Sequence, residues 1–228
     1  MAQQPGIELR GLTRRFGERA ALRDVTVSVP AGATLAVLGR NGAGKSTLLR
    51  ILATLLRPHS GEVKVLGESL PRRAHAVRPR VGLLGHEPLL YRDLSGRENL
   101  RYHARLHRVA PARVEELLQA VGMGARADDP VRTLSTGLVQ RVAVCRAVLH
   151  EPEVLLLDEP RANLDPAAVE LIEPLVGGGN GHTRVLASHD PRAALKEADL
   201  VLGLSDGKAT FVCAPGDLSA AALRELYE

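Results

Sequence analysis

A chain of 228 residues, 45% of them hydrophobic, is long enough for one large α/β domain with its own core. Aromatic residues are only 2% and the net charge of +4 is spread along the chain, so neither a stacking platform nor a basic tract for nucleic acid is present. No apolar run approaches the roughly 18 residues of a membrane helix, Met1 to Gly6 lack targeting-signal character, and Cys145 and Cys213 read as buried thiols rather than a disulfide framework, which together predict a cytoplasmic location.

Ile7-Glu8-Leu9 and Val25-Thr26-Val27-Ser28-Val29 alternate apolar and polar residues, as half-buried antiparallel strands do. Phe16 falls in a turn between them and fits either a core plug or a flat face for purine stacking. Leu35 to Leu38 read as a buried strand, and Leu48 to Leu52 as a helix. Between them stands Gly39-Arg40-Asn41-Gly42-Ala43-Gly44-Lys45-Ser46-Thr47. Strand, glycine-rich turn and helix in that order predict a phosphate-binding loop. Glycine lets backbone N–H groups turn inward, and the helix N-terminus adds partial positive charge. Lys45 is placed to reach the β- and γ-phosphates, and the Ser46 hydroxyl to ligate Mg2+.

His59 to Val63 predict a turn into a strand, residues 71–80 a loop or exposed helix start, and Val81 to Leu84 another buried strand. Ser95-Gly96-Arg97-Glu98 has the form of a capping box opening a helix over about 96–108. A second helix is expected from Ala112 to Val121, then a polar loop over 123–133. Leu138, Val142, Cys145 and Leu149 recur at helical spacing behind Ser135, a predicted N-cap. That N-terminus, with Ser135 and Gly137, reads either as a plain cap or as a second anion site. The segment 88–150 is accordingly predicted as an inserted helical subdomain.

Val154 to Leu157 form a continuous apolar run ending in Asp158-Glu159, the pattern of a central parallel strand delivering carboxylates at its C-terminal edge. Asp158 is predicted to hold Mg2+ and Glu159 to take a proton from the attacking water. Asp165 reads as a helix N-cap, and Pro174 with the run Gly177 to Gly181 is predicted to end that helix. Val185 to Asp190 read as a further strand, which brings His189 to the ligand crevice. Leu200 to Leu204, a turn at Ser205 to Lys208 and a C-terminal helix complete the chain.

The order of these pieces resembles the ATP-binding cassette (ABC) ATPase over about the whole chain. Residues 39–47 match its Walker A loop, Leu134-Ser135-Thr136-Gly137-Leu138 its signature, residues 154–159 its Walker B, and Leu164-Asp165 its D-loop. Phe16 matches its adenine-stacking aromatic and His189 its switch histidine. The distance from Lys45 to Asp158 leaves room for a helical subdomain but not for the long coiled coil of DNA-repair relatives.

The resemblance implies a P-loop NTPase (RecA-like) α/β fold. A parallel-sheet core, with a small antiparallel β subdomain near the N-terminus, would span 1–87 and 151–228, and the helical unit 88–150. ATP and Mg2+ would be the cofactors, contacted by Phe16, residues 39–47, Ser135, Gly137 and Asp165. The partners would be a second ATP-binding subunit, as a homodimer, and a separate membrane-spanning subunit, with this chain peripheral on the cytoplasmic face. Two positions depart from the family: His86 stands where Gln senses Mg2+ and the lytic water, and Leu138 where the signature ends in Gln. His86 is therefore an expected catalytic and metal-sensing residue that adds a titratable group. Within the family, Leu84-Gly85-His86-Glu87-Pro88 with Glu98-Asn99-Leu100 resembles the ATP-binding subunit of the haem exporter of cytochrome c maturation. A soluble non-transport ABC ATPase and a regulatory nucleotide binder of low turnover are the alternatives.

Overall fold

The computed structural model describes residues 5–179 and 181–227. Met1 to Gln4, read above for targeting character, and Asn180 of the glycine run lie outside the described residues. The elements run β1 (Pro5–Phe16), β2 (Arg19–Pro30), β3 (Thr34–Leu38), α1 (Lys45–Leu52), β4 (Ser60–Val65), β5 (Glu68–Leu70), α2 (Ala74–Val77), β6 (Val81–Leu84) and α3 (Gly96–His107). They continue with α4 (Pro111–Ala120), α5 (Thr136–Val148), β7 (Val154–Asp158), α6 (Pro166–Val176), β8 (Thr183–Ala187), α7 (Pro191–Glu197), β9 (Leu200–Ser205), β10 (Lys208–Cys213) and α8 (Ala220–Tyr227).

The strands build two sheets among the described residues. An antiparallel sheet has the order β2-β1-β4-β5, and a six-stranded sheet the order β10-β9-β3-β8-β7-β6. In the larger sheet β6, β7, β8, β3 and β9 are parallel, and β10 joins as an antiparallel edge. Every residue of β3, β7 and β8 is buried, because both faces of the sheet are covered. The alternation of a strand divides them cleanly. Leu35, Val37, Val154 and Leu156 point into one core, shared with α1 and the antiparallel sheet. Ala36, Leu38, Leu155 and Leu157 point into the other, shared with α3 to α6.

Ser95 accepts a hydrogen bond from the Glu98 N–H while the Glu98 carboxylate accepts from the Ser95 N–H, so the expected capping box forms and starts α3. Asn99, fully buried, receives the Tyr91 N–H at 2.8 Å and donates to the Tyr91 and Ser95 carbonyls, which fixes the turn before α3. The turn Asp206-Gly207 has positive φ at both residues, as a two-residue hairpin demands.

Three expectations are corrected, and one of two open alternatives falls. Residues 123–133 are not a purely polar loop: Met123, Ala127 and Val131 are buried, spaced four apart, between short 3-10 turns. Pro174 lies inside α6 rather than ending it. Burial of Ile172 and Val176 holds the last turn in helix, which then stops at Gly177. Cys145 is buried and burial pushes its thiol up to about 12, but Cys213 is only half-buried on the edge strand β10. Phe16 is no core plug, since it is 48% exposed with the Arg14 guanidinium 4.6 Å from its ring centre.

One cluster carries a pH signature. His107 and His150 stack with ring centres 4.1 Å apart, and His150 Nε2 donates to the Val81 carbonyl at 3.1 Å, leaving Nδ1 buried without a partner. Burial, with the neighbouring cations, pushes His150 and His103 down to about 4. The unfolded chain takes up these protons near pH 6.5 and the folded chain only near 4, so stability is constant above that window and falls as pH drops through it. Thermal melts should show a midpoint falling by several degrees between pH 6.5 and 4, and the double variant His103→Gln/His150→Gln should flatten that slope.

Candidate functional site

The loop Gly39 to Gly44 joins β3 to α1 at the C-terminal end of the central strand. Gly39 and Gly44 have φ of 147° and 111°. A Cβ on Gly39 would strike the Leu204 carbonyl, and one on Gly44 would come within 2.5 Å of the Ala21 carbonyl. Only glycine permits this path. Gly44 is the N-cap of α1, and no acidic residue stands in that helix's first turn, so its N-terminal partial charge stays available to an anion. Ala43 turns into the core, and the Gly207 N–H donates to its carbonyl at 3.1 Å.

Lys45 is buried, and its Nζ donates to the Gly39 and Arg40 carbonyls at 2.6 and 3.1 Å. Burial lowers its pKa, opposed by the charges of Glu159 and Asp158. The sheet register explains those neighbours. Asp158 pairs with Ala187 across β7 and β8, and the Glu159 N–H donates to the Ala187 carbonyl at 3.0 Å. Asp158 is 8% exposed. Glu159 sits at φ 53°, a left-handed conformation costly for a side chain of this kind and concentrated at functional sites. His189 Nδ1 lies 2.8 Å from Glu159 Oε2. An ionised carboxylate only accepts, so with Glu159 ionised Nδ1 carries the proton.

Lys45, Asp158 and Glu159 line one cleft of about 410 Å3. Asn41, Gly42, Gly44, Lys45, Ser46 and Thr47 form its floor. His86, Asp158 and Glu159 form one wall, and Phe16, Arg19 and Ala21 the other. The volume suits a small-molecule ligand. Gly39 and Ala43 shape the loop without lining the cleft; His189 reaches it only through Glu159, and Ser135, Gly137 and Asp165 do not line it either. Ser135 is exposed and caps α5 by accepting from the Leu138 N–H at 3.4 Å. Asp165 caps α6, accepting from the Ala168 N–H at 2.7 Å. A neighbouring cleft of about 310 Å3 joins His86 to Thr136, Gln140 and Asn163, so His86 stands between the phosphate loop and the start of α5.

Arg19 escaped the sequence reading. The two-residue turn Gly17-Glu18 pairs Phe16 with Arg19 across the hairpin, and the guanidinium lies over Gly42. The signal was the hairpin register, which sets a cation beside the loop but outside the strand–turn–helix pattern. Arg19→Ala should weaken ATP and ADP binding alike, by about 3- to 10-fold, since one charge-assisted contact is worth roughly 1 kcal/mol near the surface. Fluorescence titration with both nucleotides checks this.

A glycine-rich loop on a central parallel strand, with a buried lysine and a carboxylate pair at the end of β7, one strand removed across β8, defines a P-loop nucleotide-binding fold. The family description "ABC transporter" matches residues 22–162, and the chain belongs to the ABC transporter ATP-binding family. It is 43% identical over 181 residues to the daunorubicin resistance ATP-binding protein DrrA3 of Streptomyces coeruleorubidus, covering 76% of this chain and 57% of that one. It is 36% identical over 244 residues to the phosphonates import ATP-binding protein PhnC of Anaeromyxobacter dehalogenans (strain 2CP-C), covering 100% of this chain and 49% of that one. The chain thus spans about half the length of these curated relatives. Among solved structures it is similar to the ATP-binding cassette MJ0796, a dimer in a post-hydrolysis state bound to ADP and Pi. There the TM-score is 0.83 at 26% identity, covering 92% of this chain and 98% of that one.

Proposed function

We propose that the chain is the ATP-hydrolysing subunit of an ABC transporter, coupling ATP-driven closure of two copies to movement of a cargo through a separate membrane subunit. The observation that carries this reading is the convergence of Lys45, Ser46, Asp158, Glu159 and His86 on one cleft. The ATP phosphates would lie along residues 41–47, with Phe16 offering the half-exposed ring against which adenine stacks. Ser46 and Asp158 supply the hard oxygen donors that Mg2+ prefers, and the buried carboxylate calls for a cation. The imidazole of His86 is a poor match for that ion and acts through water instead. Bound Mg2+ would neutralise charge on the β- and γ-phosphates.

Glu159 would accept the proton of the attacking water at one carboxylate oxygen. His189 holds the other through Nδ1, and its Nε2 would be free to meet the γ-phosphate once the site closes. Ser135 and Gly137 do not line the cleft of their own chain, which supports closure by a second copy. Each ATP then sits on one chain's loop under the α5 N-terminus of the other. The unit 88–150, containing α3 to α5, belongs to this reading as the part that meets the membrane subunit, through the segment 86–108. The core spans 1–87 and 151–228, and the assembly sits on the cytoplasmic face. Steady-state phosphate release by the purified chain, alone and with its co-purified membrane partner, tests the reading. Turnover stimulated by a polytopic partner supports it, and nucleotide binding without turnover in either state overturns it. Haem is the narrower cargo reading, carried by the Gly85-His86-Glu87-Pro88 turn. Loss of cytochrome c maturation on deletion supports it, and normal maturation rejects it.

A further inference from the structure

The proposed base and the proposed switch histidine come from different strand ends, so something must hold the two segments in step. We infer that Arg161 is a positioning residue that locks the Glu159 segment to the His189 segment. This rests on the ATP-hydrolysis reading above and names what regulates the same site.

Glu159 is followed by Pro160 and Arg161 before the chain enters α6. The Gln140 side chain of α5 donates to the Pro160 carbonyl at 3.1 Å. The Arg161 guanidinium reaches two helices at once. Its Nε and Nη2 donate to the Glu173 carboxylate of α6, at 3.3 and 2.8 Å, and Nη2 also lies 2.6 Å from Glu197 Oε1. Glu197 is the last residue of α7, whose N-terminus is capped by Asp190, next to His189. The other oxygen of Glu197 accepts from Arg184 Nη2 at 2.8 Å. Arg184 is 2% exposed in β8, the strand that leads to His189.

The consequence is a chain of charges from the loop behind Glu159, through α7, to the strand that leads to His189. A fork-shaped guanidinium sets direction as well as distance, which an ammonium does not. Members of a partly buried network of this kind are coupled more strongly than an isolated surface pair. The left-handed φ of Glu159 adds the need for a clamp, because strained backbone persists only where its surroundings over-determine it.

The arrangement also separates positioning from folding. Without Arg161, Glu197 keeps Arg184, and Glu173 is 42% exposed and can be solvated. Arg161→Ala should therefore leave the fold and nucleotide affinity intact while the base drifts. A displacement near 1 Å can cost on the order of 10²-fold in rate, and a 10-fold or greater fall in kcat is expected here. ATP affinity should stay within about 2-fold, because no phosphate contact changes. Arg161→Lys should restore part of the rate, since one ammonium bridges both carboxylates without the fork.

The test is ATP turnover, nucleotide affinity and thermal midpoint for the full chain and the Arg161→Ala, Arg161→Lys and Glu159→Gln variants. A kcat loss at unchanged affinity, partly rescued by lysine, supports the clamp. An unchanged kcat in Arg161→Ala overturns it, as does a fall of kcat, affinity and midpoint together, which would make Arg161 a structural tie only. A wild-type chain without turnover, indistinguishable from Glu159→Gln, would instead reject the hydrolysis reading itself.

Discussion

Glu159→Gln is expected to reduce phosphate release by about 10²- to 10⁴-fold, the range supplied by a positioned general base. Glutamine keeps the size of the side chain and an acceptor oxygen for His189, so the 2.8 Å contact survives in altered form. What disappears is the ability to take a proton. Nucleotide affinity should change little, because Asp158 and Lys45 remain. The variant should accumulate in the ATP-bound state, and size-exclusion chromatography with Mg-ATP should show a dimer that wild type forms only transiently. Normal turnover by this variant would remove Glu159 from the role of base. His189→Ala, which strips the carboxylate of its Nδ1 partner, should lower the rate in the same assay without preventing that dimer.

Lys45→Ala is the second large effect, and it falls on binding. The ammonium is buried under the phosphate loop, donating to the Gly39 and Arg40 carbonyls, in the field of Glu159 and Asp158. Removing one partner of a buried, hydrogen-bonded charge pair costs roughly 2–5 kcal/mol, or about 30-fold and upward in affinity. ATP should suffer more than AMP, because in the proposed pose only the outer phosphates would reach the ammonium. Equilibrium titration of ATP, ADP and AMP against this variant gives that ordering directly. Equal loss for all three nucleotides would place the lysine elsewhere along the ligand.

Much of the site was legible because its parts are local. Residues 39–47 and 154–159 announce themselves by strand, turn and helix within about ten residues each, and the structure lays both against one cleft. Ser95, Ser135 and Asp165 were readable as caps for the same reason. What needed the fold is set by register and by distant partners. The Glu159–His189 contact depends on Asp158 pairing with Ala187. Arg19 reaches the loop through a hairpin register, and Arg161 finds its carboxylates at Glu173 and Glu197, well beyond any local window. Local rules also failed where packing outweighed them. Proline signalled a stop at 174, yet Ile172 and Val176 carried the helix onward. Gly124 and the aspartates of 123–133 masked a four-residue apolar spacing, of which Met123 and Ala127 pack into the core shared with α3 to α5.

A two-copy site remains the central claim, and a crystal structure of the Glu159→Gln chain with Mg-ATP tests it most directly. The expected result is a γ-phosphate beside Lys45 and Ser46 of one copy, with the metal at Asp158 and with Ser135 and Gly137 of the second copy closing the opposite side. A triphosphate lodged away from Lys45 and Asp158, or held without any second copy across it, would contradict the account.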